Sequence, residues 1–198
     1  MTPKDTSPTR EILASLRQEL YDHLTKKLLP FWLDRCLDHT YGGFITHFDR
    51  NGNDTGEDEK SLIAQTRTVY TMSSAHREGY GDGRCAEYAK HGVDFLIDRM
   101  WDREHGGFYW MSNRRGGVTI DAKILYGLSF AIYGLSEYTM ATGDSRGIEF
   151  AEATFDLVQK YCVDSKHGGY FEMFERNWDL QVREAKAVIE RHWIATCI

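Results

Sequence analysis

The sequence predicts an all-α fold, a toroid of α/α hairpins, and two observations carry the prediction. The phrase Tyr41-Gly42-Gly43-Phe44 returns as His105-Gly106-Gly107-Phe108 and again as His167-Gly168-Gly169-Tyr170, with the Gly pairs 64 and 62 residues apart. A period that long marks stacked copies of one supersecondary unit. Between the copies, helices with one wet face alternate with helices apolar on most sides, so the second kind is buried behind the first. The plainer alternative is a helical bundle with irregular loops.

The first helix carries Ile12, Leu13, Leu16, Leu20, Leu24, Leu28, Phe31 and Trp32 at three- and four-residue steps, with Pro30 near its end. After the first Gly pair, Asp49-Arg50-Asn51-Gly52 suits a hairpin turn. Glu57 to Glu78 reads as a second helix, with Leu62, Ile63, Ala64, Val69, Tyr70, Met72 and Ala75 wrapping more than one face. Gly81 to Asp102 is a third and one-sided helix. Asp121 to Thr142 is a fourth, apolar nearly all round, and Ser145 to Cys162 a fifth and amphipathic one. Helices one, three and five thus form an outer ring and helices two and four an inner one. Each Gly-Gly segment is a short β-hairpin-like loop joining an outer to an inner helix, so all three fall at one rim, where function on such a scaffold gathers.

Bulk properties narrow the function. At 198 residues the chain is one domain by length, with 41% hydrophobic residues to build a core. A net charge of −6 argues against a nucleic-acid or anionic-membrane partner. Cys36, Cys85, Cys162 and Cys197 show no CxxC spacing and read as thiols in a reducing compartment. No apolar run approaches a membrane span, and Met1 to Glu11 lacks a signal-peptide core. The expectation is a cytoplasmic protein.

On mostly apolar inner helices the polar residues stand out. Arg67, on the second helix, needs either a carboxylate partner or a polar cavity, because a buried unpaired charge is costly. Lys123 and Tyr126 fall on one turn at the loop-bearing end of the fourth. Each admits a structural reading as readily as a functional one.

Gln65-Thr66-Arg67, Asp121-Ala122-Lys123 with Tyr126 and Phe130, Ala141-Thr142-Gly143-Asp144, and His167-Gly168-Gly169-Tyr170-Phe171-Glu172-Met173-Phe174 follow one order and spacing. The region from Leu29 to Asp179 resembles the N-acylglucosamine 2-epimerase family, which includes cellobiose 2-epimerases and mannose or aldose-ketose isomerases. The resemblance implies the N-terminal half of a six-hairpin α/α barrel. It also implies a sugar substrate, no metal or redox cofactor, and proton abstraction at C2 by a histidine to give an enediolate. Arg67 would lie on the substrate's C1 and C2 oxygens, where a cation stabilises the developing oxyanion. Tyr126 would face the pocket, and Lys123 beside it is, like Tyr126, a candidate substrate-binding residue, with Arg67 the catalytic one. Trp110, from its residue type alone, is a candidate sugar-stacking wall.

The family's catalytic histidines lie further along than this match reaches. His23, His39, His47, His76, His91, His105, His167 and His192 do not correspond to them. His76 is on the second helix but nine residues past Arg67, roughly 14 Å along the axis. Nor do the inner helices offer the carboxylate pair a glycosidase needs. After Asp179 the resemblance stops. Read in a shifted frame, His192-Trp193-Ile194 forces Leu-Asp, and the codons of Lys186 to Ile198 permit Gly-Gly-Asp-Arg-Thr-Pro-Leu-Asp-Cys-His-Met-His, close to a family element. The division expected is therefore a partial barrel over 1–179, with three outer and two inner helices, and a frameshifted tail over 180–198. A divergent natural terminus is the alternative.

The leading expectation is a truncated sugar 2-epimerase or isomerase, inactive alone, that self-associates or dimerises through the bare edge of its half-barrel. The alternatives are a non-catalytic carbohydrate-binding module and an α/α-barrel glycoside hydrolase.

Overall fold

The computed structural model describes residues 8–181, and the frameshift reading of 182–198 falls outside them. The first helical run comprises α1 (Pro8–His23), a π-helical turn (Leu24–Leu28) and α2 (Leu29–Arg35). The next helices are α3 (Leu62–Arg77), α4 (Arg84–Phe95, extended by a π-helical turn to Met100), α5 (Leu125–Thr142) and α6 (Ser145–Tyr161). Short strands lie between them: β1 (Lys60–Ser61), β2 (Met111–Ser112), β3 (Val118–Ile120), β4 (Lys123–Ile124) and β5 (Met173–Phe174).

The helices pack in two layers. α3 and α5 lie side by side, with α4 against α3 and α6 against α5. Gly134 allows the α3–α5 approach, since a Cβ there would come within 2.6 Å of the Thr66 carbonyl oxygen. Between the layers run Val69, Met72, Leu128, Ala131 and Leu135 from the first, and Ala89, Val93, Leu96, Ala151 and Val158 from the second. No helix among the described residues is long and apolar enough to cross a membrane.

Each Gly-Gly segment repeats one local structure. Both glycines of each pair have φ between 66° and 86°, a region that penalises a Cβ, which accounts for the recurring Gly-Gly. In each loop an aspartate closes the turn. Asp38 and Gly43, Asp102 and Gly107, and Asp164 and Gly169 are joined N–H to carbonyl at 2.9–3.0 Å. The β1–β2–β3 sheet ties the first unit to the second, and the β4–β5 ladder ties the second to the third.

Several expectations need correction. The second helix begins at Leu62 rather than Glu57, because Ser61 is extended and caps it, its Oγ accepting from the Ala64 N–H at 3.2 Å. The fourth begins at Leu125 rather than Asp121, because Lys123 and Ile124 pair with β5. Lys123 is therefore a strand residue, not one on a helical turn with Tyr126. The third helix starts at Arg84, after a 3-10 turn over Gly81–Gly83. The apolar stripe on the first helix is present but largely bare, with Ile12 67% and Leu13 60% exposed.

Candidate functional site

α3 and α5 turn a second face away from α4 and α6. Arg67, Tyr70 and Thr71 of α3 and Ser129, Phe130 and Tyr133 of α5 line an open concavity of about 550 Å³ there. The Arg67 guanidinium lies 5.8 Å from the Phe130 ring centroid, a cation–π geometry. Tyr70 and Tyr133 stack at 3.9 Å between centroids. Tyr126, expected to face the pocket, is not one of the lining residues; its ring meets Phe130 edge-on at 5.0 Å in the first turn of α5. There the Tyr126 N–H donates to Glu172 Oε1 at 3.1 Å.

Arg67 was expected on a buried face, and it is exposed. The reason is geometric: the face of α3 that carries it borders the open concavity rather than the core.

Trp110 and Lys123 are placed elsewhere. Trp110 is 9% exposed and sits in a small cluster with Met111, Ala122 and Ile124, its carbonyl accepting the Leu62 N–H at 3.0 Å. Lys123 is fully buried, with Nζ 3.1 Å from Asp102 Oδ2 and 4.5 Å from the Tyr109 ring centroid. Arg176 from the third unit adds Nε to the same carboxylate oxygen at 2.9 Å. Burial alone would raise the Asp102 carboxyl, but hydrogen bonds from Arg176, the Glu104 N–H and Lys123 hold it well below its ordinary 3.8. Burial draws Lys123 down to about 8 against the pull of Asp102.

The first unit repeats this cluster. Lys60 Nζ meets Asp38 Oδ2 at 2.9 Å, both side chains buried, and also donates to the Gly42 carbonyl. Arg114 Nε from the second unit reaches the same Asp38 oxygen at 2.9 Å. Sequence reasoning missed both clusters, although the signal was there: aspartate, lysine and arginine each recur at the period of the Gly pairs. It also counted Tyr70 only among the apolar residues of the second helix and did not single out Tyr133, although both line the concave face.

None of the described histidines lines the concavity. His105 Nε2 is 3.7 Å from Glu104, and His167 Nδ1 is 3.1 Å from Asp164 Oδ2. Along α3 and α5, Glu137 is the one carboxylate, and it is buried beside Arg77 Nε at 3.1 Å. The paired carboxylates of a glycosidase are therefore not on these two helices. Among the described residues no three His, Cys, Asp or Glu side chains converge as a metal site would require.

An arginine and an aromatic wall on the inner face of packed helical hairpins is a layout suited to a polar, ring-shaped ligand. The profile of the N-acylglucosamine 2-epimerase (GlcNAc 2-epimerase) family matches residues 43–192, and the chain belongs to that family. The match runs past Asp179, where the sequence reading had ended it. The chain is 36% identical over 170 residues to the cellobiose 2-epimerase of Bacteroides fragilis, covering 83% of this chain and 42% of that protein. A D-mannose isomerase from Marinomonas mediterranea is 29% identical over 157 residues, 77% of this chain and 38% of that one. The structure of the cellobiose 2-epimerase from Spirochaeta thermophila superposes with a TM-score of 0.82 at 32% identity, over 92% of this chain and 44% of that one. The chain thus spans less than half the length of the relatives it matches.

Proposed function

We propose that this chain forms the N-terminal half of a six-hairpin α/α barrel and supplies the arginine side of a sugar 2-epimerase or isomerase site. One observation supports this most: Arg67 is exposed on the inner face of α3, over Phe130 and beside the Tyr70–Tyr133 stack. In the reaction, a base removes the C2 proton of the open-chain sugar, and charge moves onto the carbonyl oxygen as the enediolate forms. Arg67 donates to that oxygen and stabilises the charge as it develops. Tyr126 and Phe130 form an apolar wall for the sugar ring. Lys123 and Trp110 act at a distance: Lys123 locks the second Gly-Gly loop through Asp102, and Trp110 holds the start of α3 through the Leu62 N–H.

The base is assigned to the part of such a barrel outside this chain. A chimera tests the reading. Residues 1–179 are joined to the remaining C-terminal portion of the Bacteroides fragilis cellobiose 2-epimerase, and C2 exchange of cellobiose is followed in deuterated water. Exchange should be measurable, and Arg67→Ala should lower kcat/KM by about 100-fold or more, as loss of one oxyanion donor does. An active chimera indifferent to Arg67→Ala would remove Arg67 from the mechanism.

A further inference from the structure

The inner helices α3 and α5 begin alike but are capped differently. Lys60-Ser61-Leu62 and Lys123-Ile124-Leu125 stand 63 residues apart and match in place, a buried lysine two residues before each helix start. Trp110 and Glu172 also match, each four residues after the first glycine of its pair. Their main-chain carbonyls play one part: Trp110 accepts the Leu62 N–H at 3.0 Å, and Glu172 accepts the Leu125 N–H at 2.9 Å. The side chains differ. Trp110 joins the cluster with Met111, Ala122 and Ile124, and α3 is capped locally by Ser61. At α5 the cap position is Ile124, which has no side-chain acceptor, and the first turn holds no acidic residue. The Glu172 carboxylate supplies an acceptor from the third unit, Oε1 taking the Tyr126 N–H at 3.1 Å.

An N–H in the first turn of a helix has no acceptor within the helix, so a partner from outside decides how firmly that turn is held. A carboxylate there is also favoured by the helix dipole. The strand pairs Lys123–Phe174 and Ile124–Met173 bring Glu172 opposite Leu125 and set its reach. From Tyr126 the contacts continue along α5 to the concavity. The Tyr126 ring meets Phe130 at 5.0 Å, and the Arg67 guanidinium lies 5.8 Å from the Phe130 centroid.

We propose that Glu172 is a positioning residue for the arginine side of the site: its carboxylate sets the first turn of α5, and with it Tyr126 against Phe130 and Phe130 against Arg67. A cap like Ser61 ties a helix only to the residue before it. A carboxylate from the third Gly-Gly segment ties α5 to the neighbouring unit, so the Tyr126–Phe130 pair and the β4–β5 ladder are held as one body. The placement of α5 by Glu172 is independent of the sugar reading, and its effect on turnover rests on that reading.

The test compares Glu172→Ala with Glu172→Gln, which keeps an oxygen acceptor. In the full 198-residue chain, the Tyr126 amide should exchange with deuterium roughly tenfold or more faster in Glu172→Ala, the factor expected for losing a hydrogen bond to a charged group. Amides in the first turn of α3 should keep their rates, and Glu172→Gln should restore most of the Tyr126 protection. The nuclear Overhauser contact between the Tyr126 and Phe130 rings should weaken in Glu172→Ala and persist in Glu172→Gln. In the chimera, Glu172→Ala should lower kcat roughly tenfold with little change in KM, as when a transition-state interaction is weakened, and Glu172→Gln should recover most of it. Unchanged Tyr126 exchange in Glu172→Ala would overturn the proposal, as would equal acceleration in α3, which marks general destabilisation. An active chimera with kcat indifferent to Glu172→Ala would overturn it as well. An inactive chimera carrying Glu172 would count against the sugar reading, and the exchange rates in the 198-residue chain would still decide whether Glu172 places Tyr126.

Discussion

Lys123 Nζ lies 3.1 Å from Asp102 Oδ2, and both side chains are closed off from solvent. The pair joins the strand that leads into α5 to the second Gly-Gly loop, and Arg176 adds the third unit to the same carboxylate. Removing one member of a buried pair leaves an uncompensated buried charge. Lys123→Ala should therefore cost about 3–5 kcal/mol of unfolding free energy. Urea unfolding of the chain and the variant measures this. A loss under about 1 kcal/mol, the range of an exposed pair, would show that Arg176 alone satisfies Asp102.

The aspartates of these networks set the acid limb of stability. Asp144 is held well below 3.8, first by Arg146 and then, against burial, by the Tyr138 hydroxyl, and Asp102 is likewise depressed. A carboxylate with a depressed folded pKa contributes stability that is fully present above its unfolded pKa and lost as pH falls through the folded one. Melting temperature should thus hold as pH drops toward about 4 and fall below it. Asp144→Asn should lower the plateau and make the fall shallower. A variant curve parallel to wild type would contradict the role given to Asp144.

Gly134 separates α5 from the Thr66 carbonyl. Alanine is the better helix former by about 1 kcal/mol. The obstacle is backbone, which cannot swing aside as a side chain can. Gly134→Ala should therefore destabilise by about 1–3 kcal/mol, the usual cost of overpacking. A stabilised variant would mean that the two helices shift apart freely.

The layered helices were legible because repetition and apolar periodicity are local properties of the chain. The errors came from long-range pairing. Helix starts were placed at Glu57 and Asp121, although Lys60 and Lys123 are drawn out of the helices toward Asp38 and Asp102, partners 22 and 21 residues back. The bare face of the first helix was unreadable for a similar reason: a stripe shows that a face is apolar, not what covers it. At the candidate site, Arg67 and Tyr126 stood out as polar residues on mostly apolar helices, and the resemblance gave each an expected role; the structure places Arg67 on the concavity and the Tyr126 ring against Phe130. Trp110 was chosen by residue type, which does not reveal the direction a side chain takes, and the ring lies in a cluster with Met111, Ala122 and Ile124, away from the concavity.

The central claim is that this chain holds the oxyanion side of the reaction and not the base. General-base catalysis needs the base within hydrogen-bond reach of the proton it removes, and no described histidine lines the concavity that holds Arg67. The most direct test is deuterium incorporation at C2 of cellobiose, mannose, glucose and N-acetylmannosamine, incubated in deuterated water with the 198-residue chain and, in parallel, with the chimera. The account predicts no incorporation with the chain alone and incorporation into at least one sugar with the chimera. Deuterium at C2 with the chain alone would mean that one of its own side chains is the base, and would contradict the account.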